Sequence, residues 1–440
     1  MSVLLLFLFH FASLDPSLQW KRLAWSPNTW EFCVYVAYLQ QMASYSQLTM
    51  TKSPYFLWDF TDGFSWTNFL MHQSIPSLRA RRLKTVIILD GLVGYADRIG
   101  INESAILLHV ISGFAVVVAF FATIFCTSAM YARIKSRATR DSHVDEYGVW
   151  NIPYRVLGLL VLVWFFALYP LCVMASFEIY MEIHASLVAP GSLVAAIIAL
   201  VVVCAFMLAY TMRTLLSKTE TELRQYKMIA IWGVFYLDCW FITRLFFVFG
   251  VFFQIISAIC IGVLDSNAFL LSILIGIQVL NLIAVLVVKP FADRLVRNIT
   301  LSVQVLKIIN FSLGFAFLQG QSLPSSERLA IANAFIGINT LVIIAWFVRL
   351  LVVFAHALSA FLMRERVGNG SYSPRESPDS GGLEMYKFAA TSTPEIPTGR
   401  FTGLQSLSLS SAQESATWSY YLRDCSSPRP LPGAVLSPSI

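Results

Sequence analysis

The stretch Ser104-Ala-Ile-Leu-Leu-His-Val-Ile-Ser-Gly-Phe-Ala-Val-Val-Val-Ala-Phe-Phe-Ala-Thr-Ile-Phe-Cys-Thr-Ser-Ala-Met-Tyr-Ala132 contains no Asp, Glu, Lys or Arg. A helix rises about 1.5 Å per residue, so about 20 mainly apolar residues cross the roughly 30 Å hydrocarbon layer of a bilayer. This run is long enough and apolar all round, which leaves no face for water. Further stretches read the same way: Glu31 to Met50, Tyr154 to Phe177, Ala185 to Met212, Cys239 to Leu264, Phe269 to Val288, Ile299 to Leu318 and Leu329 to His356. The expected fold class is all-α, a polytopic transmembrane helical bundle with about eight full spans.

Composition agrees. Of 440 residues, 57% are hydrophobic and 13% charged, with a mean hydropathy of +0.68; a soluble domain carries roughly 25% charged residues to solvate its surface. The net charge of +6 does not point to nucleic acid, because the basic residues are scattered over the connections between apolar runs. Six of the seven cysteines (Cys33, Cys126, Cys172, Cys204, Cys239, Cys260) sit in apolar stretches, and Cys425 is in the tail. With no CxxC pair, they read as packing residues rather than a disulfide framework or zinc site.

Three regions are expected. Residues 1–14 are apolar but reach only about 21 Å as a helix; they read as the end of a truncated first span, with a signal peptide or a short anchor as the other readings. Residues 15–363 form the transmembrane region. Residues 364–440 turn to Ser, Pro, Gly and Thr, which bury too little apolar area to offset ordering entropy, so a disordered tail is expected. Its Ser373-Pro374, Ser377-Pro378, Thr393-Pro394, Ser427-Pro428 and Ser437-Pro438 steps suit proline-directed phosphorylation.

Basic residues in the short connections set the orientation. Lys21, Arg22, Arg133, Lys135, Arg137, Arg140, Arg213, Lys218, Arg224, Lys227, Lys289, Arg294, Arg297, Arg364 and Arg366 all fall on one side, read as cytosolic, together with the C-terminus. Arg79, Arg81, Arg82 and Lys84 run against this from the long loop between Thr51 and Glu103; loops of that length translocate largely regardless of charge. Asn102-Glu103-Ser104 on that side is a glycosylation sequon.

Several short stretches carry a family resemblance. Tyr38-Leu39-Gln40-Gln41-Met42-Ala43, then Pro54, then Phe60-Thr61-Asp62-Gly63-Phe64-Ser65-Trp66 come first. Tyr95 with Gly100-Ile101, Gly233-Val234-Phe235-Tyr236 with Gln254 and Gly262, and Lys289-Pro290-Phe291 with Asn298 follow. In this order they resemble the TRP-like, flavin-carrier and polycystin-like membrane proteins of fungi and oomycetes, over roughly Trp20 to Ala360. Gly63 stands where the family often has Asn, and the lumenal lipid-recognition-like domain that the resemblance leads one to expect before the first helix is read as lost with the truncated start. The resemblance implies either calcium or cation conduction or import of flavin nucleotide into the endoplasmic reticulum.

No HExxH, Walker loop, GxGxxG or GxSxG is present, so neither catalysis nor a resident cofactor or metal is expected. Charges inside spans cost about 2.5–3.5 kcal/mol at mid-helix and need a reason. Asp238, Arg244, Lys307 and Arg349 are those charges. Asp238 and Arg244, some 120° apart on one helix, seek separate partners. Lys307 shares a polar stripe with Gln304, Asn310, Ser302 and Asn298, and Arg349 is placed to snorkel. Asp238, Arg244, Gln304 and Lys307 are the candidate transport path. Glu178 and Glu182, one turn apart, with Asp265 and Glu327 at neighbouring mouths, are a candidate cation vestibule.

No filter-like TVGYG run occurs, so a pore would be of another kind or built by several chains. The expected function is transmembrane transport by a calcium-linked cation channel. A carrier for flavin nucleotide or another organic anion is the alternative, and a non-transporting membrane organiser is the third reading. The expected partners are membrane lipids, the transported ion and, in a homo-oligomer, further copies of the chain. The expected location is the endoplasmic reticulum, another endomembrane or the plasma membrane.

Overall fold

A computed structural model describes residues 1–13, 26–70, 91–138, 146–184, 190–264, 268–318 and 321–368. All fall within one compact unit, Met1–Gly370. The Ser/Pro-rich tail with its expected disorder, the basic groups Lys21, Arg22, Arg79, Arg81, Arg82, Lys84 and Arg140, and the vestibule candidate Asp265 lie outside the described residues.

Within them the regular elements are helices: α1 Ser2–Ser13, α2 Thr29–Tyr45, α3 Tyr55–Asp62, α4 Gly91–Ile99, α5 Ile106–Ala138 and α6 Glu146–His184. Next, α7 Pro190–Ile198 runs through a π-helical segment, Ala199–Phe206, into α8 Met207–Leu216. Then come α9 Tyr226–Tyr236, α10 Phe246–Val263, α11 Ala268–Val288, α12 Arg294–Gly314 and α13 Ser325–Gly368.

Among the described residues, 7 helices are long and apolar enough to cross a membrane: α5, α6, the α7 to α8 rod, α10, α11, α12 and α13. They coincide with seven of the stretches read from hydropathy. The remaining one, Glu31 to Met50, is shorter than the others and lies inside the bundle. It folds as α2, a 17-residue helix about 25 Å long, in which every residue from Thr29 to Tyr45 except Ala37 is buried. α2 runs beside α12 from end to end. Asn28 Nδ2 donates to Asp293 Oδ2 at 2.9 Å just ahead of α12, and Lys52 N donates to Phe317 O at 3.2 Å just beyond it. This is an internal crossing, screened from lipid by its neighbours, so it tolerates Glu31, Gln40, Gln41 and Ser44.

α6 is the second inner helix: 78% of its spanning window is buried, against 17% for α5. Two glycines allow its closest approaches. A Cβ on Gly158 would lie 2.0 Å from Ala230 O of α9, and one on Gly262 of α10 would lie 2.6 Å from Val173 O. Small residues that let backbones meet are a common way of packing helices where lipid removes the hydrophobic drive. α5, the α7 to α8 rod and α13 leave Val116, Phe120, Val202, Phe206, Leu341 and Ile344 exposed, as lipid-facing bulk requires.

Polar bonds join the inner helices. Tyr38 Oη donates to Asn339 Oδ1 at 2.5 Å, and the Asn310 and Asn339 amides exchange bonds at 3.0 Å, tying α2, α12 and α13. Arg349 is paired within the bundle. Its guanidinium meets Glu31 of α2 at 2.5 and 3.1 Å, and Trp346 Nε1 donates to the same carboxylate at 2.7 Å. Beyond the other end of α2, Arg98 of α4 pairs with Asp62 at 3.0 Å and donates to Ser46 O at 2.6 Å, its guanidinium 4.8 Å from the Trp58 ring centre. Both pairs join a charge on one element to a charge on another, which is what a charge out of water needs. Two of the cysteines also meet: Cys172 Sγ lies 3.5 Å from Cys204 Sγ, across α6 and the π segment, as free thiols.

Candidate functional site

On α12, Thr300, Val303, Gln304, Lys307 and Phe311 recur at three- and four-residue steps and so share one helical face. That face borders a partly open cavity of about 100 Å³; one water needs roughly 10–15 Å³ on the same measure. α2 contributes Trp30, Gln40 and Gln41 to the wall, α6 Phe165 and Tyr169, α10 Phe246, Gln254 and Ser257, and α11 Gln278 and Asn281. The result is unusual for a membrane interior: several carboxamides set among aromatic rings, with Lys307 the one charged residue of the described wall.

The hydrogen bonds fix part of this wall and leave part free. Gln40 Nε2 donates to Phe166 O at 2.7 Å and Gln254 Nε2 to Gln40 Oε1 at 3.4 Å. Gln41 Nε2 donates to Lys307 O at 3.2 Å, which decides which end of that amide is nitrogen. Gln41 Oε1 and Gln304 Oε1 are buried without a donor, and no carboxylate lies within ion-pair distance of Lys307 among the described residues. A buried acceptor without a donor costs about 1–3 kcal/mol, so such atoms mark places where a solute or water belongs.

The structure separates the four candidates of the transport path. Gln304 and Lys307 share the cavity; Asp238 and Arg244 do not line it. Asp238 lies in the connection after α9, where its Oδ2 accepts from Thr29 Oγ1 and Trp30 N at 3.0 Å. It thereby caps the first turn of α2 from 208 positions away, where free N–H groups and the helix dipole favour a carboxylate. Its own carbonyl accepts from Ala292 N, and Trp240 N donates to Pro290 O, so the Lys289-Pro290-Phe291 turn is held at the same point. Arg244 acts at a C-terminus, donating to Leu215 O of α8 at 3.3 Å and lying 4.1 Å over the Phe241 ring. The rest of the α12 stripe also divides, since Asn310 enters the Tyr38–Asn339 network while Ser302 and Asn298 are exposed.

Of the vestibule candidates, Glu178 is buried and Glu182 accepts from Ser192 Oγ at 2.9 Å, both near the end of α6. Glu327 is exposed in the first turn of α13. Among the described residues no group of three or more His, Cys, Asp or Glu is arranged to hold a metal ion. Asn102 is exposed just ahead of α5.

The other amides of the wall carry no motif of their own. Gln40-Gln41 and Gln254 stand out in the sequence only as marks of the family resemblance, and the three-residue step from Gln278 to Asn281 inside an apolar run is the signal that points to the rest.

No curated protein and no solved structure matches this chain. The family model described as transient receptor potential (TRP) ion channel matches residues 72–378, well over half the sequence. That region takes in every spanning helix from α5 to α13 and the cavity walls from α6, α10, α11 and α12. The chain therefore belongs to the transient receptor potential (TRP) ion channel family.

Proposed function

We propose that this TRP-family membrane protein conducts cations, calcium among them, along a path whose inner section is the Gln304–Lys307 cavity. The family match over the whole set of spanning helices carries this reading, supported by a polar, partly open space enclosed by those helices. Glu178 and Glu182 near the end of α6 supply carboxylates able to raise cation occupancy. Membership in a channel family supports transport rather than catalysis. A homo-oligomer would complete the pore, and the basic ends Arg213, Lys218, Arg224 and Lys289 support a cytosolic placement of that face and of the C-terminus in an endomembrane or the plasma membrane.

One observation favours a second reading, a carrier of flavin nucleotide or another organic anion: the only charge on the described cavity wall is positive. Against a cargo of several phosphates, Arg244 and Arg349 are engaged elsewhere, at Leu215 O and at Glu31. Purified protein in liposomes, assayed for calcium flux and for flavin-nucleotide uptake, tests both. Calcium flux that falls on Gln304→Leu is the expected result; nucleotide uptake without calcium flux supports the carrier, and neither activity from folded protein supports a membrane organiser.

A further inference from the structure

The cavity wall presents two unmet needs of opposite kind. Lys307 offers an ammonium with no carboxylate in reach among the described residues. Gln41 Oε1 and Gln304 Oε1 offer acceptors with no donor, and both residues are more than nine-tenths buried. The Gln41 amide cannot relieve this by turning over, because its nitrogen already serves Lys307 O. A halide or sulfate would answer the ammonium and leave the amide oxygens bare. A cation would answer the oxygens and be repelled by Lys307. Water can bond to both groups but leaves the charge of Lys307 unbalanced; the solute that answers the charge and the bare acceptors together is an oxyanion that also carries a proton to donate.

We propose that the cavity is a binding site for a phosphate or phosphomonoester, whose oxygens accept from Lys307 and whose P–OH donates to Gln41 or Gln304. Either inorganic phosphate or the phosphomonoester headgroup of a lipid such as phosphatidic acid has this chemistry; carboxylates, sulfate and phosphodiesters lack the donor at neutral pH. The bound anion offsets the charge of Lys307, which makes the same cavity compatible with cation passage. The inference rests on the reading above only in taking the cavity as open to solutes.

The test is calorimetric titration of the purified full-length protein in detergent with inorganic phosphate, sulfate and dioctanoyl phosphatidic acid. Phosphate or phosphatidic acid is expected to bind one per chain, with sulfate weaker by about tenfold or more, the factor that one charge-assisted hydrogen bond provides. Binding of phosphate alone assigns the site to the free anion, and binding of phosphatidic acid alone assigns it to lipid. Lys307→Met should weaken binding at least about tenfold while Lys307→Arg largely keeps it, and Gln41→Leu should erase the preference over sulfate.

Sulfate binding as tightly as phosphate overturns the proposal without any variant. So does binding of neither phosphate source, or unchanged binding by a folded Lys307→Met protein. Phosphate binding without calcium flux in liposomes leaves this site standing and removes the channel reading; flux without phosphate binding does the reverse.

Discussion

α5 is apolar on all sides and leaves most of its length to lipid, with Val116 and Phe120 exposed. α2 carries Glu31, Gln40, Gln41 and Ser44, and hides every residue but Ala37. In a soluble protein the apolar helix would be the inner one. Here the order is reversed, because the bilayer already provides an apolar partner and polar groups must find theirs among other helices. Polar residues within a helix therefore point to nearness to the centre, while an apolar run by itself does not place a helix, since α6 is as apolar as α5 and yet lies inside.

That contrast can be broken most directly through its charges. Arg98→Ala leaves the buried Asp62 carboxylate with the Ser46 hydroxyl but no counter-charge, and is expected to cost about 3–5 kcal/mol, read as a lost or sharply lowered thermal transition in detergent; a change below about 1 kcal/mol would mean that α4 is held by other contacts. Next in size is the pair joining α2 to α13. Glu31→Ala is expected to cost about 3 kcal/mol, and a double-mutant cycle with Arg349→Ala should return a coupling above about 1 kcal/mol. Additive single losses there would detach α2 from α13.

Neutral polar links come lower. Asn339→Leu removes the bonds to Tyr38 and Asn310 and should cost about 1–2 kcal/mol, because interhelical hydrogen bonds in membranes are individually modest. On the lipid face, Phe120→Leu should shift stability by less than about 0.5 kcal/mol; a larger loss would show that α5 buries this face against another protein surface. The smallest effect lies outside both helices. The Thr219 backbone N–H, with help from Lys218, holds the exposed Glu222 carboxyl down at about 2 from 4.5. A lowered value means that its contribution is present above pH 4.5 and is lost as pH falls through about 2. Carboxyl chemical shifts should show that midpoint, and Lys218→Ala should raise it only part of the way toward 4.5, because the Thr219 backbone N–H stays in place.

The lipid-facing part of the fold was legible because long apolar runs have one physical explanation. α2 was legible as a helix but not as an inner one, since a helix screened on every side has no apolar stripe to give away its position. The neighbourhood of Gln304 and Lys307 on one cavity wall was also readable, because their spacing fixes a shared face before any partner is known. Asp238 and Arg244 were visible as charges that needed partners. Their actual tasks, capping α2 and α8 from remote segments, depend on chain crossings that no local pattern encodes.

Chain order gives the Glu31–Arg349 pair a meaning for biogenesis. Glu31 leaves the ribosome 318 positions ahead of Arg349, and until α6 and later helices are made α2 has only α1 and the short segment around α3 beside it. Such a helix gains little from entering lipid by itself. Glu31 thus meets its counter-charge late, and a nascent chain halted before Arg349 should hold α2 more open to extraction or to water-borne reagents than the full chain does.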